Sequence, residues 1–115
     1  MRRVRERGMV TAELAVSLLG LMAATVAAMW MVAVIGLQIR CVDTADEIAR
    51  QLARGDRAAA DRAYAARPPG AAVTTGREGA DAVVEVRLTA RGPAGLSGVP
   101  LRAQARVALE NGVGP

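Results

Sequence analysis

The chain has 115 residues, of which 52% are apolar and only 2% aromatic, and 15 basic residues against 11 acidic ones give a net charge of +4. With no His and a single Cys, Cys41, the sequence lacks the usual ligand set of a zinc site and the pair needed for cysteine–histidine catalysis. Beyond residue 8 the Arg residues alternate with Asp and Glu, without an accompanying aromatic cluster, so we do not expect nucleic-acid binding.

A long apolar run extends from Leu14 to Leu37 without a charged residue. At about 1.5 Å per residue a helix over this run is roughly 36 Å long, which is enough to cross a bilayer core with some tilt. Four of the first seven residues are Arg, whereas only Arg40 closely follows the run. By the positive-inside rule we expect a single-pass protein of the cytoplasmic membrane, with a cytoplasmic N-terminus and an extracytoplasmic C-terminal part.

Three kinds of N-terminal segment contain an apolar run of this sort. A secretory signal peptide has a shorter one, and the nearest match to its cleavage site, Val26-Ala27-Ala28, is followed by further apolar sequence. A lipoprotein signal needs a Cys directly after a small residue, but Arg40 precedes Cys41. An uncleaved anchor explains the run but gives no role to the residues at its start.

The start of the apolar run combines three notable residues. Gly8 ends the Arg-rich stretch, Met9 begins the apolar sequence, and Glu13 is the last charged residue before the run. A carboxylate in a membrane helix costs on the order of 2–3 kcal/mol at the bilayer centre and less near the interface. Glu13 therefore either stays in the headgroup region near Arg7 or pairs with another group, and physics alone favours neither.

This junction resembles the class III signal of type IV prepilins, in which a short basic leader ends in Gly and the mature chain has a hydrophobic first residue and Glu as its fifth. Gly8 and Glu13 have that spacing. The segment from Arg7 to Val16 is similar to the N-terminus of TadE-like minor pilins of tight-adherence pilus systems. Residues 40–45 are similar to the segment that follows the membrane helix in those proteins.

The resemblance implies that a prepilin peptidase removes the basic leader, residues 1–8, by cutting between Gly8 and Met9, and that Glu13 acts in assembly. Independently of the family, such a cut creates an amino group on Met9, one helical turn from Glu13 and on the same face. In a filament the carboxylate of one subunit could meet the amine of its neighbour and fix their axial register, because an unpaired charge in an apolar bundle is unfavourable by several kcal/mol. The expected partners are the peptidase, other pilin subunits, the pilus assembly machinery and membrane lipid.

Small residues recur every four positions within the predicted transmembrane helix, residues 9–37. They are Gly20, Ala24 and Ala28. Such a face lets a second helix approach closely, so we expect it to be a packing surface. Trp30, nearer the outer end, is expected to anchor the helix at the membrane interface.

An amphipathic helical region, residues 38–67, is predicted to continue the membrane helix. Gly55 is expected to stop this helix, and Asp56 to cap a second, Ala-rich helix that runs from Arg57 to about Ala66. The apolar positions of the first part recur every three or four residues and are predicted to face a core. They are Ile39, Val42, Ala45, Ala49 and Leu52.

The last part of the chain, residues 68–115, has the alternating pattern of half-buried strands. Three strands are predicted, near residues 72–75, 84–89 and 101–109. We expect them to form an antiparallel meander. The first connection is predicted from Gly76 to Gly79, and the second, rich in Gly and Pro, over residues 91–100.

These elements predict an α+β fold of pilin-like type, with a long N-terminal transmembrane and amphipathic helix, a short second helix and a small three-stranded antiparallel sheet. The sequence has no carboxylate pair in a catalytic setting, no nucleophile beside a base and no phosphate-binding loop, so we expect neither enzyme activity nor a cofactor or metal. The resemblance implies a minor pilin or pseudopilin that takes part in assembly of a tight-adherence, Flp-type type IV pilus. The alternative is an uncleaved, membrane-anchored extracytoplasmic adaptor.

Overall fold

The computed structural model describes residues 2–110 of the chain. They form two α-helices and a three-stranded sheet, which confirms the predicted α+β arrangement. The elements are α1 Arg2–Ala53, α2 Arg57–Ala65, β1 Ala72–Glu78, β2 Asp81–Ala90 and β3 Val99–Ala108, with a short 3-10 helix, Pro93–Gly95, between β2 and β3. The chain divides into an N-terminal unit, Met1–Ala33, and a C-terminal unit, Val34–Pro115, and α1 contributes residues to both.

The end of α1 is set by a glycine, as the sequence predicted. Gly55 adopts a φ of 76°, which glycine reaches without steric strain. Its amide donates a hydrogen bond of 3.0 Å to the Leu52 carbonyl, and the Asp56 amide donates one of 3.0 Å to the Gln51 carbonyl. This pair of bonds is a Schellman motif, which satisfies carbonyl groups at the end of the helix.

The second helix begins where an aspartate caps it. The Asp56 carboxylate accepts a hydrogen bond of 2.9 Å from the Ala59 amide, which confirms the predicted N-cap. The helix is one residue shorter than predicted and ends at Ala65. The chain then turns at Pro68, which is fully buried, and enters β1.

The sheet is an antiparallel meander in the order β1-β2-β3, as predicted. Its central strand, β2, alternates between buried and more exposed side chains, so one face of the sheet carries the core. The strand residues buried in that core are Val84, Val86, Leu88, Ala90, Leu101, Ala103 and Ala105.

The helical half of the core comes from α1 within the C-terminal unit. The buried positions are Cys41, Ala45, Ile48 and Ala49. The prediction that Ile39 and Val42 face the core is wrong, since they are 55% and 41% exposed. Ala45 and Ala49 belong to both the predicted and the observed buried stripe, but Cys41 rather than Val42 completes the observed one. Because the side chains of the stripe are small, the sequence pattern alone did not distinguish these two faces of the helix.

The connection between β1 and β2 is shorter than predicted. β1 continues through Glu78, which pairs with Asp81 across the strands, so only Gly79 and Ala80 form the turn. Gly79 has a φ of 58°, the conformation that a turn of two residues demands and that glycine supplies most easily. Gly76, predicted to begin the turn, lies inside the strand opposite Val83.

The third strand begins earlier than predicted, at Val99. Pro100 is therefore inside a strand, opposite Thr89 of β2. β3 is an edge strand, and a residue without an amide hydrogen is tolerated there because half of the edge amides have no ladder partner.

The sheet face that points away from α1 is covered by ion pairs. Glu85 accepts hydrogen bonds from Arg87 on its own strand and from Arg102 on β3, the latter at 2.8 Å. Near the other end of the same face, Arg106 pairs with Glu78. These bonds connect all three strands, and they leave this face polar while the opposite face is apolar.

Candidate functional site

The predicted cleavage position lies on a helical, exposed part of the chain. Gly8 and Met9 both belong to α1, and Met9 is 73% exposed. A Cβ atom added at Gly8 would meet no other atom within 4 Å. The fold of the chain therefore does not require glycine at this position, although glycine weakens a helix by about 1 kcal/mol relative to alanine.

Met9 and Glu13 are one helical turn apart on α1 and so share a face. Glu13 is exposed. Glu13 forms no ion pair with any side chain that the structure describes. The carboxylate is therefore accessible to the surroundings of the chain at the point where the apolar sequence starts.

The helix that follows Glu13 is apolar on every side. Its large apolar side chains between residues 14 and 29 are half or more exposed, and they include Leu14, Val16, Leu18, Leu19, Leu21, Met22, Val26 and Met29. A helix that is apolar all round belongs in a membrane or in the interior of an assembly. Within the part of the chain that the structure describes, α1 is the one helix long and apolar enough to cross a membrane.

Two hydroxyl groups near and within this segment bond to their own helix. Thr11 donates to the Arg7 carbonyl at 2.9 Å, and Thr25 donates to the Leu21 carbonyl at 2.8 Å. These bonds satisfy the hydroxyl hydrogens without water. The two threonines are therefore compatible with an apolar surrounding.

The predicted packing face is exposed in the structure. Gly20, Ala24 and Ala28 follow one another at four-residue spacing on α1, and all three are exposed. A Cβ atom at Gly20 would meet no atom within 4 Å. As at Gly8, the fold of the single chain does not require a residue without a side chain here.

Cys41, the single cysteine of the chain, is fully buried in the core of the C-terminal unit. Burial raises the pKa of its thiol, and the charge of Arg40 opposes this shift. No group of three or more potential metal-binding side chains occurs among residues whose side chains the structure describes. Cys41 is therefore a small apolar core residue rather than a reactive one.

The structure also contains a pair of arginines that the sequence did not reveal as a site. Arg87 and Arg102 are directly opposite each other on β2 and β3 and border an open groove of about 520 Å³ at one end of the sheet. The strand register brings the two residues together, and register between distant strands cannot be read from alternation alone. The same register places Leu88 opposite Leu101, so aligning these two leucines of the buried face is the sequence signal that could have found the arginine pair.

The chain matches no protein-family model, no curated protein and no solved structure. Its function is therefore inferred from its own residues and from the arrangement just described.

Proposed function

We propose that this protein is a minor pilin or pseudopilin of a tight-adherence, Flp-type type IV pilus, processed by a prepilin peptidase between Gly8 and Met9. The observation that carries the proposal is the junction itself. A basic stretch ends in Gly8, and Glu13 follows at the head of a helix that is apolar all round. An ordinary membrane anchor needs the apolar helix but neither of these two residues.

The helical state of the junction supports a role for Gly8 in processing. A peptidase must draw the Gly8–Met9 peptide bond out of the helix before it can cut, because a helical backbone is bonded to itself. Glycine lowers the cost of this local unwinding by about 1 kcal/mol relative to alanine. It also presents no side chain to the enzyme.

The proposed role of Glu13 follows from the charge that cleavage creates. Removal of the leader deletes four arginines and leaves an amino group on Met9, roughly 6 Å along the helix axis from Glu13. In an assembly of apolar helices each of the two charges needs an opposite charge, and a shifted register leaves both unpaired. Pairing between neighbouring subunits would thus favour one stacking over all others.

The remainder of the chain suits a small extracytoplasmic domain. The arginine asymmetry around the apolar run favours export of the residues after Arg40. There α1 packs across a three-stranded sheet, and the outer sheet face is covered by ion pairs. A lone helix on a small sheet gains stability from neighbours, which fits a subunit of an assembly.

The second candidate is an uncleaved anchor that carries an extracytoplasmic adaptor domain. The apolar helix supports it equally well, because that helix needs no processing to hold the protein in a membrane. The two candidates differ in the fate of residues 1–8, which only a pilin loses.

Intact-mass measurement of the membrane-extracted protein, made in cells with an active prepilin peptidase, separates the two candidates. We expect the wild type to begin at Met9, and Gly8→Leu to keep the leader. The matched control is Gly36→Leu, because Gly36 is also an exposed helical glycine with no atom within 4 Å of an added Cβ. That variant should be cleaved normally, whereas an intact leader on all wild-type protein would overturn the proposal.

A further inference from the structure

The β2–β3 loop, residues 91–98, lies at the end of the sheet where the chain enters the C-terminal unit. Two hydrogen bonds align β3 with α1: the Gln38 side-chain amide donates to the Arg102 carbonyl at 3.0 Å, and the Glu110 amide donates to the Ala53 carbonyl at 3.0 Å. Helix and strand therefore run in the same direction. The start of β3 consequently lies level with the helix residues of the C-terminal unit that precede Gln38, from Val34 to Leu37.

The last turn of the apolar run is part of this same end. Val34 and Leu37 pack against the core of the C-terminal unit, and so does Val99 at the start of β3. Leu37 is also the last residue of the charge-free run that is proposed to cross the membrane. The end of the sheet that carries the loop therefore adjoins the residues at which the chain leaves the bilayer.

The loop presents an apolar side chain on a well-defined backbone. Leu96 is 66% exposed, and its amide donates a hydrogen bond of 3.2 Å to the Pro93 carbonyl. Gly98 is packed so closely that a Cβ atom there would lie 2.6 Å from Cγ2 of Thr89. The short 3-10 helix and this close contact fix the loop's path, so little conformational entropy is lost if Leu96 is buried in another medium.

A cationic groove lies at the same end of the sheet, next to the strand residues Thr89 and Pro100. Its lining includes Arg87, Arg102, Pro100 and Leu101, and its volume is about 520 Å³. The two guanidinium groups share the single carboxylate of Glu85, so the cluster keeps a net charge of +1. Each guanidinium has five N–H donors, and one from each side chain bonds Glu85.

We infer that this end of the C-terminal unit docks on the membrane surface, with Leu96 in the interfacial layer and with Arg87 and Arg102 binding the phosphate of an anionic phospholipid headgroup. The guanidinium fork suits a phosphate oxygen pair, and the apolar part of the lining, which includes Leu88, Pro100 and Leu101, suits the glycerol and the first acyl carbons. The partner is a lipid surface because chain continuity with the apolar run brings this end to the bilayer. The inference rests on the membrane-anchoring part of the proposed function and does not need cleavage at Gly8.

The first test uses the full-length chain in nanodiscs that carry a nitroxide on the lipid headgroup. We expect the NMR signals of Leu96 and Ser97 to be attenuated strongly. The reference is Ala80 in the β1–β2 turn, at the opposite end of the sheet, whose signal should persist. Attenuation of Leu96 no stronger than that of Ala80 overturns the docking. The intact mass of the same sample reports leader removal separately, so failure of the pilin proposal and failure of this inference are distinguishable.

The second test measures amide hydrogen exchange in nanodiscs of phosphatidylcholine, with and without phosphatidylglycerol. With phosphatidylglycerol we expect exchange at residues 91–98 to slow by about fivefold, the effect of about one arginine at an anionic surface. The Arg87→Gln/Arg102→Gln variant should lose this difference. Arg106→Gln is the matched control, because Arg106 lies on the same strand and sheet face toward the other end, and it should keep the difference.

Exchange at residues 91–98 that is the same with and without phosphatidylglycerol overturns the headgroup assignment, and so does loss of the difference in the Arg106→Gln control. Slow exchange of the Val84 and Val86 amides in every variant shows that the sheet has folded. The nitroxide measurement on the wild type needs no substitution, so the docking remains falsifiable even if the double variant does not fold.

Discussion

Ile48 and Ile39 belong to the same helix, yet Ile48 is 2% exposed whereas Ile39 is 55% exposed. Ile48 points into the core formed with β2 and β3, while Ile39 lies outside the core. Substitution of either isoleucine by alanine removes the same atoms from the same helix. Comparing the two substitutions therefore measures how much the packing of α1 on the sheet contributes to stability.

We expect Ile48→Ala to destabilise the C-terminal unit by about 2–4 kcal/mol, through loss of buried methylene groups and the cavity that remains. Ile39→Ala should change the free energy of unfolding by no more than about 0.5 kcal/mol. Denaturant titration, followed by exchange of the Val84 and Val86 amides, measures both. Equal effects of the two substitutions would show that α1 does not pack on the sheet through the observed stripe.

These two isoleucines also show what the sequence could and could not predict. The change from helical to alternating periodicity predicted the α+β fold, and the residues Gly55 and Asp56 predicted the helix boundary. The sequence did not predict which face of α1 packs on the sheet. Alanines dominate the buried stripe, and their small apolar side chains do little to distinguish that face from the adjacent one. Whether Cys41 or Val42 is buried depends on the shape of the sheet, and this shape is a property of tertiary packing.

The N-terminal junction could be predicted from the sequence, whereas the Arg87–Arg102 groove could not. Gly8 and Glu13 are close in sequence, so their spacing on a helix could be read directly. Arg87 and Arg102 meet only through the β2–β3 register, which a loop of eight residues between the strands does not set by its length. A site whose residues are close in the sequence can thus be recognised from a single sequence. A site that forms through strand pairing can be recognised only once the fold is known.

The buried thiol of Cys41 leads to a prediction about reactivity. Burial raises the pKa of the thiol, so less thiolate is present near neutral pH than for an exposed cysteine, and the reagent must also wait for local opening. We expect maleimide to react with Cys41 at least about tenfold more slowly than with an exposed thiol at the same pH. Ala80→Cys in a Cys41→Ala background provides that exposed thiol, because Ala80 lies in the exposed β1–β2 turn, and equal rates for the two would contradict the burial.

The Glu85 carboxyl leads to a prediction about pH. The hydrogen bond from Arg87 lowers its pKa, with a further lowering by Arg102, although partial burial opposes the shift. Since the pKa is lower in the folded than in the unfolded state, the ionised carboxylate stabilises the fold above the unfolded value, about 4.3, and this contribution is lost as the pH falls through the folded value.

An NMR titration of the Glu85 carboxyl carbon should therefore have a midpoint below that of an unfolded glutamate. Arg87→Gln should raise the midpoint, because it removes the largest cause of the shift. Arg106→Gln should leave it unchanged, because Arg106 pairs with Glu78 and Asp81 instead. A midpoint that responds equally to both substitutions would mean that general surface charge, not the Arg87 hydrogen bond, sets the pKa.

The last prediction concerns Glu13. If its carboxylate pairs with the Met9 amine of a neighbouring subunit, Glu13→Ala should still be inserted and cleaved, because removal of a charge makes residence in the membrane easier. Association with other pilin subunits should weaken by on the order of a hundredfold, since the amine then lies unpaired among apolar helices. Crosslinking or co-purification with those subunits, quantified beside intact mass, measures association and processing in one sample.

Two further variants sharpen the interpretation of that experiment. Glu13→Gln keeps the size of the side chain but not its charge, so it should fail in assembly like Glu13→Ala if the charge matters. Glu6→Ala removes the one acidic side chain of residues 1–8, which the proposed cleavage would discard, and should therefore assemble normally. A Glu13 that is merely solvated at the membrane interface contributes little, and then all three variants would associate like the wild type. That result would leave cleavage after Gly8 intact but would remove the assembly role proposed for Glu13.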